Sequence, residues 1–225
     1  EQKSNWKSFV YAQQMGFYQG FEEISLPGCR PTEKRLERYD IKKYMTQEKT
    51  ALDIGCNCGY FSKLISEFDV PYVLGVDLSE EMIKKANLFF GQEGLEFRVE
   101  DATNLKIHEK FNLILCTEVI EHTDKPYEVI KAIHKLLSDD GVAIISMPNR
   151  LSCNYLITIL GKKLLRKPFS KDFKQHIAYP FHKTIRMFKS EGFSVVKSKG
   201  ANFLLLDHLL HLFRIQLLMV RRIYS

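Results

Sequence analysis

Few features of the sequence favour a membrane-spanning or disulfide-bonded protein. No uninterrupted apolar run reaches the roughly 18 residues that a transmembrane helix requires, and the first residues, Glu1-Gln2-Lys3-Ser4, contain no apolar signal region. The cysteines are odd in number, scattered and without zinc-finger spacing (Cys29, Cys56, Cys58, Cys116 and Cys153). We therefore expect a cytoplasmic protein with reduced thiols, because disulfides are rare in that compartment.

Positive charge is concentrated in one part of the chain. Residues 150–199 contain 12 Lys or Arg against two acidic residues, an excess of +10 in a chain whose net charge is +6. The rest of the chain is therefore net −4. Such a basic segment predicts contact with an anionic substrate, a membrane surface or a nucleic acid, and a solvated lysine-rich surface is the alternative.

Apolar segments of two kinds alternate between residues 50 and 148. Short continuous runs predict buried strands, and stretches with apolar residues at helix spacing predict the helices between them. The predicted strands cover 50–55, 72–77, 95–99, 111–116 and 142–147, and the predicted helices cover 59–68, 79–90 and 126–138. This alternation predicts an α/β fold, a three-layer, Rossmann-like, mostly parallel sheet with helices on both faces.

The flanking segments predict the domain organisation. We expect an N-terminal helical cap over residues 1–47 and one main domain over 48–225. An apolar and basic stretch after the fifth strand predicts a helical, lid-like insertion at about 151–180. Its residues 156–167 combine an apolar face with a basic edge, which also suits peripheral contact with an anionic membrane.

The tail is rich in leucine. In residues 202–224 the charged and imidazole side chains fall at helical spacing, which predicts a helix with a wide apolar face. That face must pack within the domain, on a partner subunit or on lipid, so residues 203–224 are a second candidate for membrane contact. Two final strands are the alternative interpretation of the same residues.

A glycine-rich turn follows the first predicted strand. Gly55 and Gly59 allow a tight backbone turn and the close approach of a ligand. The spacing differs from that of a dinucleotide site, because Asn57 occupies the second glycine position. A carboxylate at Asp53 also suits an ammonium group better than a diphosphate. Asp77 then closes the second strand, where a carboxylate can accept hydrogen bonds from both ribose hydroxyls.

The segments LDIGCNCGYF, GVDLS and VEDATNL resemble the first three motifs of class I S-adenosylmethionine-dependent methyltransferases. This resemblance covers roughly residues 48–200. It implies that Asp53 and the Gly55–Gly59 turn hold the methionine part of S-adenosylmethionine, that Asp77 holds the ribose, and that Asp101 with Ala102 holds the adenine. The expected cofactor-binding set is completed by Cys56, Asn57, Leu78, Cys116 and Thr117.

Acids and a histidine follow the fourth predicted strand. If this segment is helical, Glu118, Glu121 and His122 share one face. In one interpretation His122 is a general base that takes the proton of an acceptor hydroxyl, with Glu118, Glu121 and His176 as further candidate catalytic groups. In the other, the three residues are ligands of a divalent metal ion, with His176 or His182 as a fourth ligand.

The segment TEVIEH resembles two methyltransferase families, one acting on ring hydroxyls of polyprenylated quinone precursors and one on the terminal ribose of small RNAs. The layout after the fifth strand, with Asn149, Arg150, the insertion and His176, is similar to that of the quinone-precursor O-methyltransferases. We therefore expect methyl transfer to a hydroxyl oxygen of a small, apolar acceptor. An RNA methyltransferase that uses the basic segment 150–199 and a non-catalytic cofactor-binding module are the alternatives.

Overall fold

The computed structural model describes residues 49–68, 70–149, 164, 179–201 and 215–223. Internal contacts divide the chain into two compact units, Glu1–Glu100 and Asp101–Ser225. The expected N-terminal cap over 1–47 and nearly all of the expected insertion at 151–180 lie outside the described residues. Both stay predictions.

The described part of the first unit contains three parallel strands and two helices. Along the chain these are β1 (Thr50–Ile54), α1 (Tyr60–Ser66), β2 (Tyr72–Asp77), α2 (Glu80–Phe90) and β3 (Leu95–Val99). The strand β2 pairs with β1 on one side and with β3 on the other, both in parallel. The apolar runs of β1 and β2 are buried along most of their length, as expected for strands covered on both faces.

The sequence explains where α2 begins and which face it buries. The Ser79 hydroxyl accepts a hydrogen bond from the Met82 backbone N at 3.3 Å, so Ser79 is the N-cap of α2. Ile83, Ala86 and Phe90 are buried, and their spacing places them on one face of the helix.

Four strands lie in the described part of the second unit. Its elements are β4 (Phe111–Thr117), a single 3-10 turn (Ile120–His122), α3 (Pro126–Leu136), β5 (Leu137–Pro148), α4 (Phe181–Ser190), β6 (Phe193–Ala201) and β7 (Ile215–Arg222). The strands β4 and β5 pair in parallel, and β7 lies antiparallel between β5 and β6. Pro126 occupies the first turn of α3, where its missing N–H costs no helical hydrogen bond.

The predicted α/β class is confirmed, since helices connect parallel strands in the predicted order. The element bounds differ most at β5, which begins five residues earlier than the run 142–147 that the sequence predicts. Its first residues include Asp139 and Asp140. A strand that begins in exposed acidic residues lacks the apolar signal on which the prediction relied.

The helix predicted for the tail is wrong for its last part. Residues Ile215–Arg222 form a strand, which confirms the alternative for them, and residues 202–214 lie outside the described residues. Leu218, Met219 and Val220 are consecutive and all at most 3% exposed. A short, continuously apolar run is compatible with a buried helix and with a strand covered on both faces, so periodicity could not separate them.

None of the helices in the described ranges is long and apolar enough to cross a membrane.

Phe97 fills the space between the strands and helices of the first unit. Its ring is 6% exposed, and a Cβ atom added at Gly75 would stand 2.6 Å from it. A Cβ at Gly59 would also stand 2.6 Å from the same ring. The two glycines therefore make room for one aromatic side chain, because no real Cβ contact is that short.

The variant Gly75→Ala should lower the free energy of unfolding by about 1–3 kcal/mol, the usual cost of overpacking a filled core. Adding Phe97→Leu should restore part of that loss, because the smaller side chain leaves room for the new methyl group. Urea unfolding of both single variants and the double variant measures this coupling. Additive effects of the two substitutions would contradict the shared packing.

Candidate functional site

The glycine-rich turn after β1 contains three residues in the left-handed region. The φ angles are 74° at Gly55, 52° at Asn57 and 84° at Gly59. Asn57 tolerates this conformation better than most side chains do, and its Oδ1 accepts a hydrogen bond from the Cys58 backbone N at 2.7 Å. Asn57 therefore meets the backbone requirement that a second glycine would have met.

Asp53 is buried beneath this turn and only partly hydrogen-bonded. It is 1% exposed, and its Oδ2 accepts a hydrogen bond from the Ser62 hydroxyl at 2.7 Å. Its other oxygen, Oδ1, is buried without a hydrogen-bond partner among the described residues. A buried carboxylate oxygen without a donor is costly, so this atom marks a place where a ligand donor would be stabilising.

Burial raises the pKa of Asp53 to about 7, and the negative charge of Asp77 adds to the increase while the Ser62 hydroxyl opposes it. The carboxyl group is therefore close to half protonated at neutral pH. A cation placed against Oδ1 would shift this equilibrium towards the carboxylate.

Asp77, at the end of β2, is held by two backbone groups. Its Oδ2 accepts a hydrogen bond from the Asn57 N and its Oδ1 accepts one from the Ser79 N, both at 2.9 Å. Each carboxylate oxygen can accept a second hydrogen bond. The carboxylate is thus oriented before any ligand binds, and it links the end of β2 to the glycine-rich turn.

Two exposed apolar side chains adjoin Asp77. Leu78 is 70% exposed and Val99 is 45% exposed, and they lie at the ends of the neighbouring strands β2 and β3.

In the second unit, Asp101 accepts hydrogen bonds through Oδ1 from both the backbone N and the hydroxyl of Thr103, each at 2.8 Å. These bonds lower the pKa of Asp101, and Ala102, half-buried, follows it.

Glu118, directly after β4, has an unusual backbone. Its φ is 56°, and a left-handed conformation costs a residue of this type about 1–2 kcal/mol. Its backbone N donates to the Ser146 carbonyl at 2.9 Å, and its Oε1 accepts a hydrogen bond from the Ser146 hydroxyl at 3.0 Å. Strain of this kind persists where the surroundings hold it, often at functional sites.

Glu121 is buried beside Glu118. It is 1% exposed, and its burial, followed by the negative charge of Glu118, raises its pKa to about 9. Glu121 is therefore a neutral carboxylic acid at neutral pH. Two carboxyl groups this close favour holding one proton between them.

The conditional prediction that Glu118, Glu121 and His122 share an α-helical face is wrong. Only Ile120–His122 forms a helical turn, of the 3-10 type, because pairing with β5 continues as far as the backbone N of Glu118. His122 is exposed and lies one residue after the buried Glu121.

The metal-binding alternative required Glu118, Glu121 and His122 to share one α-helical face, and they do not. In the parts of the chain that the structure describes, no group of three or more His, Cys, Asp or Glu side chains could hold a metal ion. Of the two histidines suggested as a fourth ligand, His182 is exposed on α4 and His176 lies outside the described residues.

The comparison with known families decides the class of the protein. Residues 31–198 match the model of a family described as a methyltransferase domain. The chain belongs to this methyltransferase family. It is an S-adenosylmethionine-dependent methyltransferase, and S-adenosylmethionine is its cofactor.

Several curated proteins similar to this methyltransferase are named ubiquinone biosynthesis O-methyltransferase. The one from Neisseria meningitidis serogroup A is 28% identical over 164 residues, which cover 69% of this chain and 68% of that protein. The one from Haemophilus ducreyi is 30% identical over 131 residues, which cover 55% of each protein.

Solved structures confirm the class I methyltransferase fold. The magnesium protoporphyrin IX methyltransferase of Synechocystis, solved with bound SAH, is similar with a TM-score of 0.69 over 97% of this chain and 95% of that one. At 16% sequence identity, this likeness shows the fold alone.

The cysteines in the motifs of this methyltransferase are buried. Cys56, Cys58 and Cys116 are all at most 2% exposed. Burial raises the pKa of both Cys56 and Cys58, and nearby carboxylates raise that of Cys56 further. Protonated, buried thiols are poor nucleophiles, so neither group is suited to covalent catalysis.

Two hydrogen-bonding residues of this methyltransferase were not predicted. Ser62 donates to Asp53 from the buried face of α1, and Ser146 donates to Glu118 from a buried position in β5. A serine inside an otherwise apolar face is the signal that indicates such a role. The sequence does not say which partner the hydroxyl reaches.

The variant Glu121→Gln should stabilise this methyltransferase at alkaline pH. The pKa of Glu121 rises from 4.5 to about 9 on folding, so the folded state holds a proton that the unfolded state releases between these values. Stability from this group is therefore present below pH 4.5 and is lost as pH rises towards 9. The melting temperature of the variant, relative to wild type, should increase from pH 5 to pH 8 by several degrees.

The matched control is Glu93→Gln, which makes the same change at an exposed position. Its melting temperature should follow that of wild type at both pH values. An equal shift in the two variants, or a shift for Glu121→Gln that does not depend on pH, would contradict the buried neutral acid.

Proposed function

We propose that this methyltransferase transfers a methyl group to a hydroxyl oxygen on the ring of a small, apolar acceptor. The observation that carries the proposal is the arrangement after β4, where the exposed His122 directly follows a buried acid. Similarity to the Neisseria meningitidis protein named ubiquinone biosynthesis O-methyltransferase, over 68% of that protein, supports the choice of an oxygen acceptor.

The first unit supplies groups that fit the methionine and ribose parts of S-adenosylmethionine. The buried Oδ1 of Asp53, without a donor among the described residues, suits the ammonium group of the methionine part. The Asp77 carboxylate, held by the backbone of Asn57 and Ser79, suits the two ribose hydroxyls. Gly55 and Gly59 keep the turn open to close approach.

The adenine end of the cofactor has fitting groups as well. Leu78 offers an exposed apolar side chain next to the ribose-binding carboxylate. Thr103 donates both of its hydrogen bonds to Oδ1 of Asp101, so Oδ2 is suited to accept one from the adenine amino group. Ala102 follows it, and Cys116 and Thr117 end β4.

The proposed chemistry needs one proton acceptor and one electrophile. S-adenosylmethionine, when bound, supplies a methyl carbon on a sulfonium sulfur. His122 takes the proton of the acceptor hydroxyl as the oxygen forms its bond to that carbon and the carbon–sulfur bond breaks. Glu118 orients the acceptor, and correct positioning provides much of the rate. Burial holds Glu121 neutral, so Glu118 and Glu121 together carry a single negative charge.

Cofactor affinity should depend on pH through Asp53. Because the pKa of Asp53 is about 7 in the free protein, its carboxyl is neutral below that value and must ionise to bind an ammonium group. The affinity for S-adenosylhomocysteine, which carries the same ammonium group, should therefore rise about tenfold per pH unit up to pH 7 and then level off. Calorimetry between pH 5 and 8 measures it.

The variant Asp53→Asn should bind weakly at pH 8 and lose the pH dependence. The control Asp124→Asn removes a carboxyl group at an exposed position and should retain both. A wild-type affinity that stays constant from pH 5 to pH 8 would rule out ammonium binding at Asp53.

A transfer assay tests the acceptor. With S-adenosylmethionine labelled in the methyl group, a catechol carrying a short prenyl chain should yield a labelled methyl ether at a rate that salt affects little. His122→Ala should lower kcat by about 100-fold or more, the usual contribution of a general base, without changing affinity for S-adenosylhomocysteine. The control His108→Ala removes an exposed histidine elsewhere and should keep full activity.

Three outcomes would overturn the proposal. Labelling of RNA instead of the catechol, falling steeply with salt, would favour the RNA alternative. Loss of catechol methylation on removal of divalent metal, with recovery on its return, would favour metal ligation over a general base. Cofactor binding without transfer to either acceptor would favour a non-catalytic module.

A further inference from the structure

Ser146 is a polar residue in the most apolar part of β5. The strand is buried from Gly141 to Met147, and Ser146 itself is 2% exposed between Ile145 and Met147. A buried hydroxyl needs a hydrogen-bond partner, and an aliphatic side chain would suit such a position better. The serine therefore requires an explanation other than packing.

The Ser146 hydroxyl is directed to Glu118. It donates to the Glu118 Oε1 at 3.0 Å, and the Ser146 carbonyl accepts the backbone N–H of the same glutamate at 2.9 Å. One residue thus holds both the main chain and the side chain of another across two neighbouring strands. The register supports this arrangement, because Thr117, which precedes Glu118, pairs with Ser146.

Glu118 needs such support. Its φ of 56° is one of two positive values among the described non-glycine residues. The other, at Asn57, belongs to a residue whose amide oxygen binds the next backbone N. Glutamate has no comparable preference for this conformation, so its neighbours must impose it.

We propose that Ser146 is a positioning residue, which fixes the Glu118 carboxylate after β4 in the orientation that presents the methyl acceptor for transfer. The inference rests on the proposed function, in which Glu118 orients the acceptor. Ser146 contacts neither acceptor nor cofactor in this role and acts through Glu118.

The variant Ser146→Ala should lower kcat/KM for the prenylated catechol by about tenfold or more, the effect of losing a hydrogen bond to a charged group. Its affinity for S-adenosylhomocysteine should stay close to that of wild type. Ser146→Thr, which keeps the hydroxyl, should recover activity. In a Glu118→Gln background, Ser146→Ala should have a smaller effect, because the amide oxygen of Gln accepts a weaker, uncharged hydrogen bond.

Ser138→Ala is the matched control. The Ser138 hydroxyl also joins β5 to β4, donating to the Phe111 carbonyl at 3.0 Å at the opposite ends of the strands. Its loss should leave transfer unchanged. Equal losses of activity in the two serine variants, or independent effects of Ser146→Ala and Glu118→Gln, would overturn the proposal and indicate a structural role.

If wild type transfers no methyl group to the catechol, the proposed function fails. The free energy of unfolding in urea is then measured for Ser146→Ala, Glu118→Gln and the double variant. Coupling between Ser146→Ala and Glu118→Gln in the free energy of unfolding would support the contact as the means of fixing Glu118. Additivity there would overturn the proposal as well.

Discussion

Two carboxyl groups, those of Asp53 and Glu121, are buried at or just beyond the ends of parallel strands, and the cost of burying an ionised carboxylate governs the chemistry of both. Each is 1% exposed, and burial is the largest cause of each raised pKa. They differ in degree because Asp53 has the Ser62 hydroxyl as a donor, whereas Glu121 faces the negative charge of Glu118. One group titrates near neutrality and the other remains a neutral acid.

The backbone adopts a left-handed conformation after β1 and again after β4. At the end of β1, Asn57 adopts a left-handed conformation and donates its N–H to Asp77. At the end of β4, Glu118 adopts the same kind of conformation and donates its N–H to Ser146. In both places a residue of unusual φ turns the chain shortly after an apolar strand ends. Ligands of parallel sheets bind beyond these carboxyl ends of the strands, so the turns lie where polar groups can reach a ligand.

Much of this molecule could be predicted from sequence for a physical reason. Continuous apolar strands and amphipathic helices of the first unit carry strong periodic signals, and the N-cap at Ser79 and the first-turn Pro126 act locally. The sequence could not decide between helix and strand for Ile215–Arg222, and it did not indicate the turn at Ile120–His122, because both depend on pairing with β5. The hydrogen-bond partners of Ser62 and Ser146 could not be identified from the sequence, because a hydroxyl carries no sequence signal for the strand that it will contact.

If the cofactor ammonium group binds Asp53 as proposed, cofactor binding and folding are connected through this residue. The free protein tolerates its buried carboxyl because the group can hold a proton near neutral pH. An ammonium group at Oδ1 would replace that proton as the source of compensating charge, so binding would release a proton and stabilise the ionised form. Glu121 has no such exchange, since burial and Glu118 keep its proton in place. The same cost of desolvation therefore leaves one carboxyl group responsive to a ligand and makes the other a permanent neutral neighbour of Glu118.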